Sequence, residues 1–289
     1  MKVSGFTIIR NAITYDYPIV EAITSILPLC DEVIVALGNS DDDTADLING
    51  INSSKIKIIN TIWDDSLREG GRVLAVETDK ALAAISTDSD WAFYIQGDEV
   101  IHEDFLPLIR EAMEQWKDDK RVEGLLFNYL HFYGSYDYVG DSRRWYRREV
   151  RIIRNIPGMQ SFRDAQGFRI NGKLLYVKPV NSTIYHYGWV KPPEVQQLKQ
   201  KNFNRLWHLD EWVDQHIGDA SEYYYSQGGR LKLFDGVHPK VMKERIKRQS
   251  WKFTYNPLKV QQPLKEKILD AIESQCGWRI GEYKNYIII

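Results

Sequence analysis

The stretch that decides the fold runs Trp91-Ala92-Phe93-Tyr94-Ile95-Gln96-Gly97-Asp98-Glu99. Five apolar residues, then a glutamine, a glycine and two adjacent carboxylates, read as a buried strand that delivers acids at its carboxyl end. The same grammar occurs three times upstream. Residues 6–10, 32–37 and 56–62 are short apolar runs, each followed by a polar loop and a helical pattern. After Pro18 the apolar residues are Ile19, Ala22, Ile23 and Ile26. Residues 44–51 begin behind Ser40 and Asp41-Asp42-Asp43, acids that suit a helix N-terminus. Residues 73–85 carry Val73, Val76, Ala81 and Leu82 on or near one face. Strands alternating with helices predict βαβ units and a largely parallel sheet.

Downstream the pattern changes. A helix is expected at 105–116, then mixed strands near 125–133, 150–153, 174–177 and 183–187. Two irregular stretches, 134–144 and 157–172, are long for loops inside a compact domain, and loops of that length are usually functional or disordered. From Pro192 onward the chain turns helical and aromatic, with Trp207, Trp212, Tyr223, Tyr224, Tyr225 and Trp251. The expected fold class is α/β: a mixed, mainly parallel sheet flanked by helices over residues 1–190, with a mainly helical, aromatic-rich C-terminal appendage over 191–289.

Composition narrows the function. Across 289 residues, 38 Lys and Arg nearly balance 40 Asp and Glu, so no global basic field draws in nucleic acid. Arg143-Arg144-Trp145-Tyr146-Arg147-Arg148 is a local basic run, read as a phosphate or acceptor contact or a solvated edge in preference to an RNA site. Two cysteines, Cys30 and Cys276, rule out a disulfide scaffold and fit a reducing compartment. The first apolar run is too short for a signal peptide and no window approaches a membrane span, so a cytoplasmic location is expected. P-loop, dinucleotide-binding and nucleophile-elbow motifs do not occur.

Ligands of open α/β sheets lie at the carboxyl ends of the strands. That rule selects Arg10 and Asn11, residues 38–43, residues 63–65, and Gln96 through Glu99. Asp98 and Glu99 suit a hard divalent cation with phosphate oxygens as co-ligands, although an isolated Gly-Asp-Glu is more often an exposed turn. His186, in Tyr185-His186-Tyr187-Gly188-Trp189, suits a metal ligand or phosphate donor, against a hydrogen-bonded histidine in an aromatic cluster. His102, His131, His208, His216 and His238 show no ligand-like spacing and take no role. Asp164 is a candidate general base on the second long loop, with a cap or salt bridge as the plain alternative and Asp137 and Asp141 as competitors. Arg72, after Gly70-Gly71, is a candidate phosphate contact at a helix start.

In order and spacing these segments resemble family 2 glycosyltransferases of the GT-A fold, especially the bacterial branch close to lipopolysaccharide-core glycosyltransferases. The resemblance rests on Ile9-Arg10-Asn11, Asp31 through Val35 with Gly38 through Thr44, Trp63, Arg72, Trp91 through Glu99, and His186-Tyr187-Gly188. It spans about the first 190 residues. It implies a nucleotide-sugar donor across the sheet's carboxyl edge, Mg²⁺ or Mn²⁺ held by an Asp-x-Asp motif, and a later acid as base for an inverting transfer. Asp98 matches the second aspartate of that motif, and Gln96 stands in place of the first. Ala36-Leu37 stands where such families usually carry an aspartate.

Carried onto this sequence, the resemblance implies that Arg10, Asn11 and Asp64 lie near the donor base, with Gln96 also a substrate contact. Asp98 and His186 would hold the metal, and Arg72 would offset charge on the leaving diphosphate. Asp164 would be the base, with Glu99 holding the acceptor or orienting Asp98. The acceptor is a hydroxyl of a glycan or of a lipid-linked or other molecule, which leaves room for peripheral membrane contact. Two other readings compete: a degenerate sheet that binds a nucleotide or glycan without turnover, and a nucleotidyltransferase. The second is disfavoured because the loop Asn11 through Tyr17 has no glycine or lysine.

Overall fold

The computed structural model describes residues 1–218, 220–225, 228–256, 260 and 262–289. Its first half is the expected alternation: β1 (Val3–Ile9), α1 (Ile19–Ile26), β2 (Glu32–Gly38), α2 (Thr44–Asn49), β3 (Ile56–Thr61), α3 (Arg72–Ala83) and β4 (Trp91–Tyr94). A short β5 (Glu99–Ile101) precedes α4 (Leu106–Trp116). Then come β6 (Gly124–Tyr133), β7 (Tyr138–Gly140), β8 (Arg148–Arg154), β9 (Met159–Phe162), β10 (Gly167–Ile170) and β11 (Lys173–Trp189). The remainder holds α5 (Pro193–Arg205), α6 (Asp210–His216), β12 (Leu231–Leu233), α7 (Lys243–Lys247), α8 (Leu264–Cys276) and β13 (Tyr286–Ile288).

The sheet runs β3-β2-β1-β4-β8-β6-β11-β10-β9. Strands β3, β2, β1 and β4 are mutually parallel, and β8 turns the sheet antiparallel against both β4 and β6. The sheet is therefore mixed, and parallel pairing returns beyond β8 between β6 and β11. Strands β1, β2 and β4 are buried on every residue, which is why apolar residues dominate them, whereas the edge strand β3 alternates partly buried and exposed positions. Trp91, Phe93 and Ile95 face a core made with α1 and α4, through Ile19, Ile23, Ile26, Ile109 and Met113. Ala92 and Tyr94 face the other side, against Ala81 of α3 and Phe168 of β10.

Three sequence expectations change. Residues 174–177 and 183–187 belong to one 17-residue strand, β11, whose register against β6 shifts between Pro179 and Thr183. An irregularity there accommodates the proline, which cannot donate to a regular ladder. The stretch 157–172, expected to be irregular, is the β9–β10 hairpin. No separate helical appendage is clear after residue 190. There β13 pairs with β11, β12 pairs with β7, and Arg245 joins Asp16 and Glu21. The basic run is also tied internally: Arg143 bonds Glu273, and Arg147 bonds both Glu273 and Glu282. Those two arginines are occupied by carboxylates of the chain itself.

One buried ion pair joins the two halves of the sheet. Glu99 is fully buried, and its Oε1 accepts from Arg151 Nη2 at 2.8 Å and from the Tyr129 hydroxyl at 2.7 Å. Its Oε2 accepts from Arg151 Nε at 2.9 Å and from the Gln96 amide at 3.1 Å. Removing one partner of such a pair strands a charge in the core. Glu99→Ala should therefore lower unfolding free energy by about 3–5 kcal/mol in a urea titration, and a loss below 1 kcal/mol would mean that water reaches Arg151.

Candidate active site

A cavity of about 280 Å³ opens at the carboxyl ends of β1 and β4. Arg10, Asn11 and Trp63 line it along the β1–β3 edge, and Gln96, Gly97 and Asp98 line it below β4. His186 from β11, Asp164 from the β9–β10 turn, and Lys199 and Phe203 from α5 complete the wall. Six of the nine residues singled out in the sequence thus meet in one place: Arg10, Asn11, Gln96, Asp98, Asp164 and His186. Three do not line it. Asp64 is exposed, its carboxylate accepting from the Ser66 amide and hydroxyl, and it is Asp65 that pairs with Arg10 at 2.9 Å. Arg72 is exposed at the first position of α3. Glu99 lies in the core, where Arg151 and Tyr129 occupy its carboxylate, so it neither touches a ligand in the cavity nor takes a proton there.

At the β1–β3 end, the Arg10 guanidinium lies 5.8 Å from the Trp63 ring centroid and donates to the Asn39 carbonyl. Gly38 makes that position of Trp63 attainable, since a Cβ there would fall 2.4 Å from Trp63 Nε1. Asn11 adopts a left-handed φ of 53° and accepts from the Asp41 amide at 2.7 Å, which pins the loop after β2 to the loop after β1. An arginine and an open aromatic edge make this end suited to a flat heterocycle.

In the middle stands Asp98. Its Oδ2 accepts from Lys199 Nζ at 3.2 Å, and its Oδ1 lies 3.8 Å from His186 Nε2. Burial opposes its charge, but its positive surroundings, the bonded Lys199 ammonium first, outweigh that and hold its carboxyl well below the usual range. Lys199 also donates to the Gly188 carbonyl and lies 4.8 Å from the Tyr17 ring centroid. For His186, burial outweighs the pull of Asp98 and lowers the pKa, which favours the neutral ring.

The fit of a divalent cation is decided by Gly188. A Cβ at Gly188 would lie 2.7 Å from Asp98 Oδ2 and 2.8 Å from His186 Nε2. The glycine keeps the ground beside that carboxylate and imidazole open. One carboxylate and one imidazole suit Mn²⁺ or Mg²⁺ when further oxygens come from a phosphate-bearing ligand. Gln96 adds no charge, and its Nε2 donates weakly to the Ala165 carbonyl at 3.4 Å. The cluster of three potential ligands found among the described residues, His102, Glu103 and Asp104, does not line this cavity.

Asp164 sits on the β9–β10 turn between Arg163 and Ala165, non-glycine residues with left-handed φ of 57° and 61°. Such backbone strain persists only where surrounding structure enforces it. Here the turn is held from below, because Arg151 donates to the Gln166 carbonyl and Gln96 to that of Ala165. Gly71 gives it room, as a Cβ there would fall 2.8 Å from Asp164 Cβ. Asp164 Oδ1 is buried without a hydrogen-bond partner, and burial raises the pKa of the carboxyl. The competing acids do not line the cavity: Asp137 accepts from Ser135, and Asp141 pairs with Arg230.

The sequence reading missed Tyr15, Tyr17, Lys199 and Phe203. On α5, Lys199 and Phe203 are four apart and share one face. That spacing was visible, but nothing in the sequence said which face met the cavity.

No family model and no curated protein matches the chain. Among solved structures it has distant similarity to glucosyl-3-phosphoglycerate synthase from Mycobacterium tuberculosis, in complex with Mn²⁺, UDP and phosphoglyceric acid. That match has 22% identity, a TM-score of 0.31, and covers 45% of this chain and 43% of the other, less than half its length. TarS 1-349 from S. aureus matches at 15% identity and a TM-score of 0.38, over 75% of this chain and 69% of that one. A 4-diphosphocytidyl-2C-methyl-D-erythritol synthase from Anaerococcus prevotii matches at 11% and 0.33, over 53% and 71%. No helix among the described residues is long and apolar enough to cross a membrane.

Because the folded pKa of Asp164 lies above its unfolded one, its ionisation favours unfolding. The penalty is fully present above the folded pKa, shrinks as pH falls through it, and is gone below the unfolded value near ~3.9. Asp164→Asn should raise Tm at pH 7, with a gain that fades as the pH approaches the ordinary carboxylate range. A pH-independent change in Tm would show that the Asp164 charge is solvated.

Proposed function

We propose that this chain is a glycosyltransferase that moves a sugar from a nucleoside-diphosphate donor to an acceptor hydroxyl with inversion. The observation that carries the reading is Asp98, held between Lys199 and His186 on a cavity whose wall also bears the unpaired carboxylate oxygen of Asp164. Cation-binding and anion-binding groups converge with a bare carboxylate, and group transfer from a diphosphate needs that combination.

In this reading the donor's base lies at the Arg10–Trp63 end, with Asn11 shaping the loop beneath it. Asp98 and His186 would hold Mg²⁺ or Mn²⁺, which when bound neutralises charge building on the departing nucleoside diphosphate. Lys199 meets the same charge as a fixed ammonium. Its bonds to Asp98 and the Gly188 carbonyl hold it in place before the donor arrives. Gln96 positions the turn that carries Asp164 through the Ala165 carbonyl. Asp164 takes the proton from the acceptor hydroxyl as that oxygen attacks the anomeric carbon. Its raised pKa brings it nearer to the task, since a base works best with a pKa close to the operating pH.

The test is a thermal-shift screen of UDP, GDP, CMP and their sugar conjugates, with and without Mn²⁺. One nucleotide at 100 times its Kd should stabilise the fold by about 2.7 kcal/mol. Asp98→Asn should abolish the Mn²⁺-dependent part of that shift. Asp164→Asn should keep donor binding and lower kcat by about 10²–10⁴-fold. No shift with any nucleotide would sink the reading, and unchanged turnover in Asp164→Asn would remove Asp164 as base.

A further inference from the structure

The residue beside His186 sets which of its nitrogens faces the cavity. In the parallel pairing of β6 and β11, His131 and His186 are register partners, so their side chains emerge side by side on one face. Their Nδ1 atoms lie 3.0 Å apart. The other nitrogen of His131, Nε2, lies 2.8 Å from the Tyr146 carbonyl oxygen. A carbonyl can only accept, so His131 Nε2 carries the hydrogen. In a neutral ring His131 Nδ1 is then a bare acceptor, and the proton between the two rings belongs to His186 Nδ1. In a neutral His186 ring Nε2 is then bare, and it is this atom that lies 3.8 Å from Asp98 Oδ1.

We propose that His131 is a positioning residue: through the Tyr146 carbonyl it fixes the Nδ1–H tautomer of His186 and so presents the Nε2 lone pair beside Asp98 as a cation ligand. The cation role rests on the transferase reading above, whereas the tautomer assignment does not. The surroundings of His131 favour the neutral ring that this relay requires. It is 3% exposed, stacks on Trp145 at 5.1 Å between centroids, and meets Tyr146 edge-on at 4.3 Å. With the relay set this way, two acceptors face each other across a space that Gly188 keeps open. A lone pair and a carboxylate oxygen in that arrangement repel until a positive charge lies between them. With the opposite tautomer, His186 would turn an N–H toward Asp98 and oppose a cation there. Metal-bound histidines are commonly oriented by a partner on the remote nitrogen, and a neighbouring imidazole does that here.

The test uses ¹⁵N-histidine-labelled full-length protein at neutral pH, free of metal, with two-bond ¹H–¹⁵N correlations to read each tautomer. His186 is expected to carry its proton on Nδ1 and His131 on Nε2. Mn²⁺ alone, added in small steps, should broaden the His186 Nε2 resonance, with His102 as an internal reference for adventitious binding at its own acidic cluster. In His131→Leu, His186 should shift toward the Nε2–H tautomer, and about 10- to 100-fold more Mn²⁺ should be needed for the same broadening. A purely structural role for His131 would lower Tm while leaving the tautomer and the Mn²⁺ response of His186 unchanged, and that result would overturn the proposal. A wild-type His186 protonated on Nε2 would overturn it without any variant, so the test stands even if His131→Leu does not fold. Failure of every nucleotide to bind would remove the transferase reading while leaving these resonances to decide the relay.

Discussion

Both carboxylates of the candidate site hang from one buried ion pair. Glu99 and Arg151 exclude water from each other, and each has bonding capacity left over after the pair is made. Glu99 uses it on the Gln96 amide, which closes the turn that presents Asp98. Arg151 uses it on the Gln166 carbonyl, at the foot of the turn that presents Asp164. The pair thus sets two chain segments that are far apart in sequence. A buried pair of this kind is weak evidence for net stability, since desolvation offsets much of its attraction. Its geometric effect is larger: bidentate contact with a carboxylate admits few orientations of a guanidinium.

Adjacent carboxylates divide in function because of where the chain turns. Asp98 lies on the turn and Glu99 opens β5, so one faces the cavity and the other the core. Glu99 gains a counter-charge there, while Asp98 shares Lys199 and keeps an oxygen facing His186. Asp164 has no such partner, and its neighbours Arg163 and Ala165 adopt left-handed backbone. A buried carboxylate with one oxygen left without a partner, on a strained turn, opposes stability. Such features are found where binding or catalysis benefits from a group that the fold alone leaves unsatisfied.

The sequence disclosed what depends on local pattern. The strands β1 to β4 are legible because apolar residues dominate each short run, and the same rule that locates strands locates their carboxyl ends. Six site residues followed from that rule and from the resemblance. What stayed hidden depends on pairing across long separations. Glu99 looked like a site acid because its partner Arg151 is 52 residues away. β11 looked like two strands because Pro179 interrupts its pattern, and only the register against β6 shows how the sheet absorbs it. His131 shows no ligand-like spacing in the sequence because its partner lies not along the chain but across a strand pair.

The wall formed by α5 follows from the same logic of charge. Lys191 is fully buried, donates to the Asp16 carbonyl, and lies 4.6 Å from the Tyr17 ring centroid, with Lys199 over the same ring. Burial, and after it the charge of Lys199, pushes the Lys191 pKa well down. Lys199 is pulled the other way: burial lowers its pKa, but Tyr17 and Asp98 outweigh that and keep it an ammonium. The two lysines share the Tyr17 face, but only Lys199 bonds Asp98. An anion entering beside Lys199 would favour the charged form of both nitrogens. α5 is thus tied to the site by the Lys199 ammonium, a charge that an anion in the cavity would complement.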